Sequence, residues 1–289
     1  MLLVSESLMP ELVTTAKEAM QRITQARSSG ETIGLIPTMG ALHDGHLSLV
    51  QAAKAECLFT VATIFVNPTQ FGPDEDLDQY PRTLEQDMEA LAAHDVDFVF
   101  SPNASEVYPS GFSTYVDPPD VAKPLEGEYR PGHFRGVCTV VLKLFNLVPA
   151  DIAYFGEKDY QQLLVIRHMA RDLNLPIEIR PCATVREPDG LAMSSRNAYL
   201  SDDERRQALA LSDSLALAND LVANGETRSA SILDEMKRVF KKAGIENIDY
   251  IALADPDTLQ DVPAITQPTQ ALVAAHVGNT RLIDNRRIG

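Results

Sequence analysis

Two histidines three residues apart, His43 and His46, stand in the string Pro37 to His46, PTMGALHDGH, between an apolar run (Ile33, Leu35, Ile36) and the apolar-periodic stretch Leu47 to Ala55. Strand, glycine turn and helix in that order make an anion site. The first helical turn leaves backbone N–H groups unpaired and carries the positive end of the macrodipole. Gly40 and Gly45 let the backbone of Met39, Ala41, Leu42 and Asp44 come close to a phosphate. With both histidines helical, their imidazoles share one face and offer N–H donors to the same rim. With Asp44 as the N-cap, His43 lies just outside the helix and His46 in its first turn. A second junction of the same kind is Gly156-Glu157-Lys158-Asp159, after the apolar run Ile152 to Phe155. There Lys158 is either a solvated lysine or a cation placed to meet phosphate, and Gln162, on the first turn of the following helix, is placed to reach a small substrate's hydroxyl. Asn67 and Gln70 follow another apolar run and either satisfy turn backbone or, in Gln70, hydrogen-bond a small hydroxy acid.

Helical spacing predicts a first helix over residues 10–27, with Leu12 on its apolar side, and β-branched runs predict buried parallel strands at 33–36, 59–66, 96–100, 152–155 and 177–179. Helices are expected over 47–55, 83–94, 137–147 and 160–173. In an open parallel sheet, ligands lie beyond the carboxyl ends of the strands, where both glycine junctions and Asn67-Gln70 fall. From Val185 the chain crosses into a smaller unit. Ser201 and Glu204 have capping-box spacing, helices end at Gly225 and Gly244, and strands 250–254 and 271–276 lead to a hairpin at Gly278-Asn279. The expected architecture is α/β: a Rossmann-like, doubly wound parallel sheet over 1–184 and a small C-terminal α+β lid over 185–289.

Composition excludes several classes. Formal charge is −16, against a nucleic-acid partner, whose phosphates need clustered Lys and Arg. Any nucleotide site must therefore be positive locally, against the net field. Three cysteines without C-x-x-C spacing indicate neither a disulfide framework nor zinc, and no apolar stretch reaches bilayer length. These features point to a cytoplasmic protein without a membrane partner. The acidic segment 72–82 (Asp74, Glu75, Asp76, Asp78) is expected to be a solvated loop, with a mobile cover over the site as the alternative. Asp87 either approaches magnesium or is a solvated carboxylate. Arg130, His133 and Arg135 either meet anionic substrate or pair within their loop.

The H-x-G-H pattern after the first strand resembles the signature of the nucleotidyltransferase superfamily. The fuller string, with Phe65–Phe71 (FVNPTQF), Gly156–Leu163 (GEKDYQQL), Met193–Asn197 (MSSRN) and Thr280–Asn285 (TRLIDN), resembles the pantoate–β-alanine ligase family from residue 33 to 285. The resemblance implies ATP-dependent condensation of pantoate with β-alanine through a pantoyl adenylate, with magnesium accompanying ATP, in a homodimer. It implies that the first junction, the GEKD stretch, Val185 through its backbone, and Met193-Ser194-Ser195-Arg196 hold ATP. It makes Gln70 the residue touching both pantoate and β-alanine, and Gln162 a pantoate ligand. His43, Lys158, Ser195 and Arg196 fall to the phosphates and His46 to general acid or donor to the leaving group. The MSSR stretch is similar to a reduced K-M-S-K-S loop that lacks both lysines, a charge Lys158 would supply from the other side. The rival readings are a different adenylyltransferase that stops at a dinucleotide, and a nucleotide sensor without turnover.

Overall fold

The computed structural model describes residues 9–73 and 75–289; Asp74 of the acidic segment lies outside them. The chain runs β1 (Glu11–Val13), α1 (Ala16–Ser28), β2 (Ile33–Thr38), α2 (Asp44–Glu56), β3 (Phe59–Ile64), α3 (Leu84–Ala92) and β4 (Phe98–Phe100). There follow the one-turn helices α4 (Ala104–Val107) and α5 (Glu126–Tyr129), then α6 (His133–Leu147), β5 (Ile152–Gly156), α7 (Tyr160–Asp172) and β6 (Glu178–Cys182). Six parallel strands lie in the order β1-β4-β3-β2-β5-β6. The chain winds outward from β2 through β3 to β4, then returns to place β5 on the other side of β2. The point where the order reverses is thus the gap between β2 and β5, where an open α/β sheet binds its ligand.

Alternation along the buried strands fills both faces. Leu35 packs with α1, α6 and α7, whereas its neighbour Ile36 packs with Leu49, Val50 and Ala53 of α2 and with Leu91 of α3. One helix start differs from expectation for a clear reason. The segment 10–27 is not one helix: Glu11–Val13 pairs in parallel with Phe98–Phe100 as an edge strand, leaving Leu12 42% exposed. Thr15 then accepts from the Glu18 N–H and starts α1 at Ala16. Likewise α6 begins at His133, four residues before the expected Val137, because Gly132 at φ 86° turns the chain into the helix there. Gly136 is required one turn on, since a Cβ would run into the Thr69 carbonyl. That close approach seats the Pro68–Gln70 turn on α6.

Beyond β6 come α8 (Asp202–Ala223), α9 (Ser229–Lys242), β7 (Ile248–Ala254), β8 (Thr269–Val277) and β9 (Thr280–Ile288). The last three form an antiparallel sheet with the expected turn at Gly278-Asn279, backed by α8 and α9 around a core of its own. Ser201 and Glu204 cap α8 reciprocally. This sheet is tied to the larger one through Glu126, 6% exposed, which accepts from Arg281 at 2.6 and 2.8 Å and from the Tyr250 hydroxyl at 2.8 Å. Burial pushes the Glu126 pKa up, but the hydrogen bonds and charge of Arg281 outweigh it and hold it below the ordinary 4.5. The pair therefore stabilises the fold above that ordinary value, and its contribution is lost as pH falls through the lowered one.

Arg281→Ala leaves a buried carboxylate without its main partner and is expected to cost about 3 kcal/mol. Chemical denaturation checks this; a loss below about 1 kcal/mol would mean that Tyr250 and water satisfy Glu126 alone.

Candidate active site

The carboxyl ends of β2 and β5 open into a cleft of about 230 Å3. At its floor, α2 begins in a way neither sequence alternative anticipated: the N-cap is His43 itself. His43 Nδ1 accepts from the Gly45 N–H at 3.1 Å, and His46 Nδ1 accepts from the His43 N–H at 3.4 Å. The two imidazoles thus form a capping box, the arrangement a serine and a glutamate usually provide. Their ring centroids are 4.1 Å apart. Because each Nδ1 is an acceptor, each neutral ring carries its proton on Nε2. Burial, the neighbouring His43 and Lys158 lower the His46 pKa to about 3; burial first, then Lys158, lower that of His43. Near neutral pH the pair presents uncharged Nε2–H donors to the cleft.

The preceding turn is shaped by Asp87 on α3. Its carboxylate accepts from the Ala41 N–H at 3.0 Å, the Leu42 N–H at 2.8 Å and the Thr83 hydroxyl. Ala41 is held at φ 51°, a strained conformation for a residue with a Cβ. Asp87 is 2% exposed and engaged by backbone on both oxygens, so it is neither a solvated carboxylate nor free to ligate magnesium. Of the first junction, Met39, His43, Gly45 and His46 line the cleft, while Gly40, Ala41, Leu42 and Asp44 do not.

From β5 come Gly156, Lys158 and Asp159, with Gln162 on α7, all lining the cleft; Glu157 does not. Asn285 of β9 donates to the carbonyls of Glu157 and Lys158 at 2.9 and 2.8 Å, so the C-terminal sheet fixes the turn that aims Lys158. Gln161, beside Gln162, is buried and spent on structure: it accepts from the Glu126 N–H and donates to the carbonyls of Val121 and Pro124. Asn67, 1% exposed, donates to Gln70 Oε1 at 3.0 Å and accepts from Thr69 and Tyr108. Asn67 thus serves the turn at the cleft wall and Gln70 faces the cleft, its Nε2 meeting among the described residues only the weak acceptor Met39 Sδ at 3.2 Å.

Val185, Met193, Ser194, Ser195 and Arg196 close the opposite wall, with the Met193 N–H donating to the Val185 carbonyl at 3.0 Å. The acidic segment is only partly a solvated loop: Asp78 is exposed, whereas Glu75 and Asp76 are paired. Asp76 forms a two-point pair with Arg196 at 2.9 and 2.7 Å, and Glu75 does the same with Arg130 at 2.8 and 2.6 Å. Tyr80, 5% exposed, lines the cleft and shares a 3.3 Å hydrogen bond with Ser195. Sequence reasoning missed Tyr80; the available signal was a lone aromatic inside an acidic, turn-rich stretch. Arg130 and His133 line the cleft, whereas Arg135 pairs with Asp117 and stacks over Tyr115.

The titration of His46 is a direct check. Its folded pKa lies below the ordinary 6.5, so stability from this group is full above 6.5 and is lost as pH falls toward 3, where the unfolded chain takes up the proton first. Imidazole 15N NMR is expected to show the Nε2–H tautomer from pH 5 to pH 8; an inflection above pH 6 would refute the capping geometry.

Residues 11–287 match the family model for pantoate-beta-alanine ligase. Pantothenate synthetase of Thermotoga petrophila is 50% identical over 279 residues, covering 96% of this chain and 100% of that protein. Pantothenate synthetase of Rhodopirellula baltica is 53% identical, covering 95% and 98%. Among solved structures, pantothenate synthetase of Thermus thermophilus superposes with a TM-score of 0.91 at 43% identity, covering 96% and 98%. The Francisella tularensis ligase, described as complexed with beta-gamma ATP and beta-alanine, has a TM-score of 0.79 at 34% identity, covering 96% and 97%. With an HxGH helix start and a GEKD turn on adjacent strands, and with near full-length likeness in sequence and structure, this chain belongs to the pantoate–β-alanine ligase, or pantothenate synthetase, family.

Proposed function

We propose that the cleft joins pantoate to β-alanine with ATP, through a pantoyl adenylate. A carboxylate is a poor acyl electrophile. Its oxygen therefore attacks the α-phosphate of ATP, the bond to pyrophosphate breaks, and the acyl carbon is now activated. The β-alanine amine then attacks that carbon, loses a proton, and AMP leaves with the former carboxylate oxygen. The observation that carries this reading is convergence. Two neutral Nε2–H donors from the start of α2, Lys158 from the adjacent strand and Ser195-Arg196 from the opposite wall all meet at the β2/β5 gap.

Lys158 and the imidazole donors answer charge that grows on the phosphates as pyrophosphate departs. With its pKa near 3, His46 acts as a hydrogen-bond donor to the leaving group and not as a proton reservoir at neutral pH. Gln70 and Gln162 orient pantoate, and Val185 meets adenine through its backbone. Among the described residues no group of three or more His, Cys, Asp or Glu is placed to hold a metal, and Asp87 is taken. Magnesium thus fits here only as the counter-ion carried by ATP, and no step is assigned to it.

Residues 185–289 act as the lid that brings the MSSR stretch onto the nucleotide. A homodimer is the expected assembly, by family likeness and the frequency of two-fold dimers. No helix among the described residues is long and apolar enough to cross a membrane. Three cysteines, all free and two of them buried, support a reducing compartment, the cytoplasm.

Labelled pyrophosphate is expected to exchange into ATP with pantoate and magnesium present and β-alanine absent, and 18O from the pantoate carboxylate to reach AMP once β-alanine is added. Exchange that strictly needs β-alanine, or label only in pyrophosphate or free phosphate, would exclude the adenylate. Lys158→Ala is expected to lower kcat on the order of 10²-fold with a smaller effect on ATP affinity; turnover within about threefold of the parent would remove Lys158 from the mechanism. His46→Ala removes one cap, a cost of about 1 kcal/mol. Activity lost in proportion to stability alone would make His46 structural.

A further inference from the structure

Arg130 follows the one-turn helix α5 and lines both the main cleft and a smaller polar cavity beside Gln162. Its guanidinium plane is pinned from one side. Nη1 donates to His133 Nε2 at 3.1 Å, and His133 donates its Nδ1–H to the Gln70 carbonyl at 2.8 Å. Burial and the Arg130 charge push the His133 pKa down to about 4, which keeps that imidazole neutral and its lone pair on Nε2. The opposite edge, Nε and Nη2, faces the two carboxylate oxygens of Glu75 at 2.8 and 2.6 Å. Glu126 lies 3.7 Å from Nη1 but is already bound by Arg281 and Tyr250. The Nε/Nη2 edge is therefore a fixed fork that reads one carboxylate, here that of Glu75, with two parallel hydrogen bonds.

We propose that this edge of Arg130 is the receptor for the carboxylate of the amine substrate, an ω-amino acid, and that Glu75 is an internal stand-in which the substrate displaces. The inference rests on the condensation proposed above and adds a binding site to it. Both acids bring a carboxylate, but their fates differ. That of pantoate is consumed: it must lie against the α-phosphate, becomes a mixed anhydride and ends as an amide without charge. That of the amino acid persists into the product and needs a standing cation away from the phosphates. Among the described residues that line the cleft, the cations are Lys158, Arg196 and Arg130. The first two belong to the nucleotide, which leaves Arg130. Gln70, on which both acids converge, is tied through its own carbonyl to the same His133, so fork and amide are held as one unit. The fork is partly covered, with Arg130 at 15% and Glu75 at 25% side-chain exposure, as suits a site that strips water from its ligand.

The test uses the full-length enzyme and the variants Arg130→Gln, Arg130→Lys and Glu75→Gln. Arg130→Gln is expected to raise KM for β-alanine on the order of 10²-fold, the usual cost of truncating one partner of a buried charge pair. Pantoate-dependent pyrophosphate exchange without amine should fall by far less than KM for β-alanine rises, the residual fall reporting the Arg130–His133–Gln70 link. The parent should prefer β-alanine over β-alaninamide, which lacks the charge, and Arg130→Gln should abolish most of that preference. Arg130→Lys keeps the charge but loses the fork and should fall between. Glu75→Gln removes the stand-in and should lower KM for β-alanine. A parallel fall of exchange and amide formation in Arg130→Gln would assign Arg130 to the nucleotide or pantoate and overturn the proposal. So would an unchanged preference for β-alanine over its amide, or a higher KM for β-alanine in Glu75→Gln. Absence of exchange in the parent enzyme would instead refute the adenylate mechanism itself, a different outcome from any of these.

Discussion

The site depends on how helix α2 starts. A helix N-terminus facing a ligand must leave its amides unpaired or satisfy them with side chains, and here two imidazoles satisfy them. By accepting through Nδ1, His43 and His46 close the first turn, fix their own ring orientation and commit their remaining protons to Nε2. Burial then keeps both rings neutral. Structural cap and proposed ligand donor are thus one pair of residues using opposite edges of each ring. The geometry holds only because Asp87 pins the strained Ala41-Leu42 turn from α3, and because β2 is a buried central strand whose end cannot drift.

The cleft solves a charge problem. In a chain of net charge −16, the proposed nucleotide cleft is lined by a small group of cations, two of them set in place by carboxylates of the chain itself. Asp76 holds Arg196, and Glu75 holds Arg130. Such pairs keep guanidinium groups oriented without ligand, and a phosphate or substrate carboxylate can replace the protein carboxylate at little net desolvation cost, since the cation is never left bare. Ion pairs also run continuously from the C-terminal sheet to this loop: Asp249 to Arg281, Arg281 to Glu126, Glu126 to Arg130, Arg130 to Glu75. Together with the Asn285 clamp on the Lys158 turn, they make the smaller sheet part of the site's scaffold.

What the sequence determined by itself is what depends on neighbours along the chain. Buried parallel strands announce themselves as short β-branched runs, glycine junctions as strand-to-helix turns, and the Ser201–Glu204 spacing as a helix start, and each of these is where the pattern placed it. His43, His46, Lys158, Gln70 and Gln162 were legible as candidates from their types and local spacing, and the MSSR stretch through its likeness to a family motif; all of them line one cleft. Tertiary structure decided everything that turns on a partner far away in the chain. Glu11–Val13 is a strand only because Phe98–Phe100 lies beside it, and helical spacing could not reveal that pairing. Asp87 looks like a solvated or metal-binding carboxylate until two backbone amides 45 and 46 residues away claim it. Glu75 and Asp76 read as a solvated acidic run, because the arginines that bind them lie 55 and 120 residues on. Local sequence specifies backbone form and the kind of group offered; which charge meets which is fixed only when the fold brings distant segments within hydrogen-bond distance.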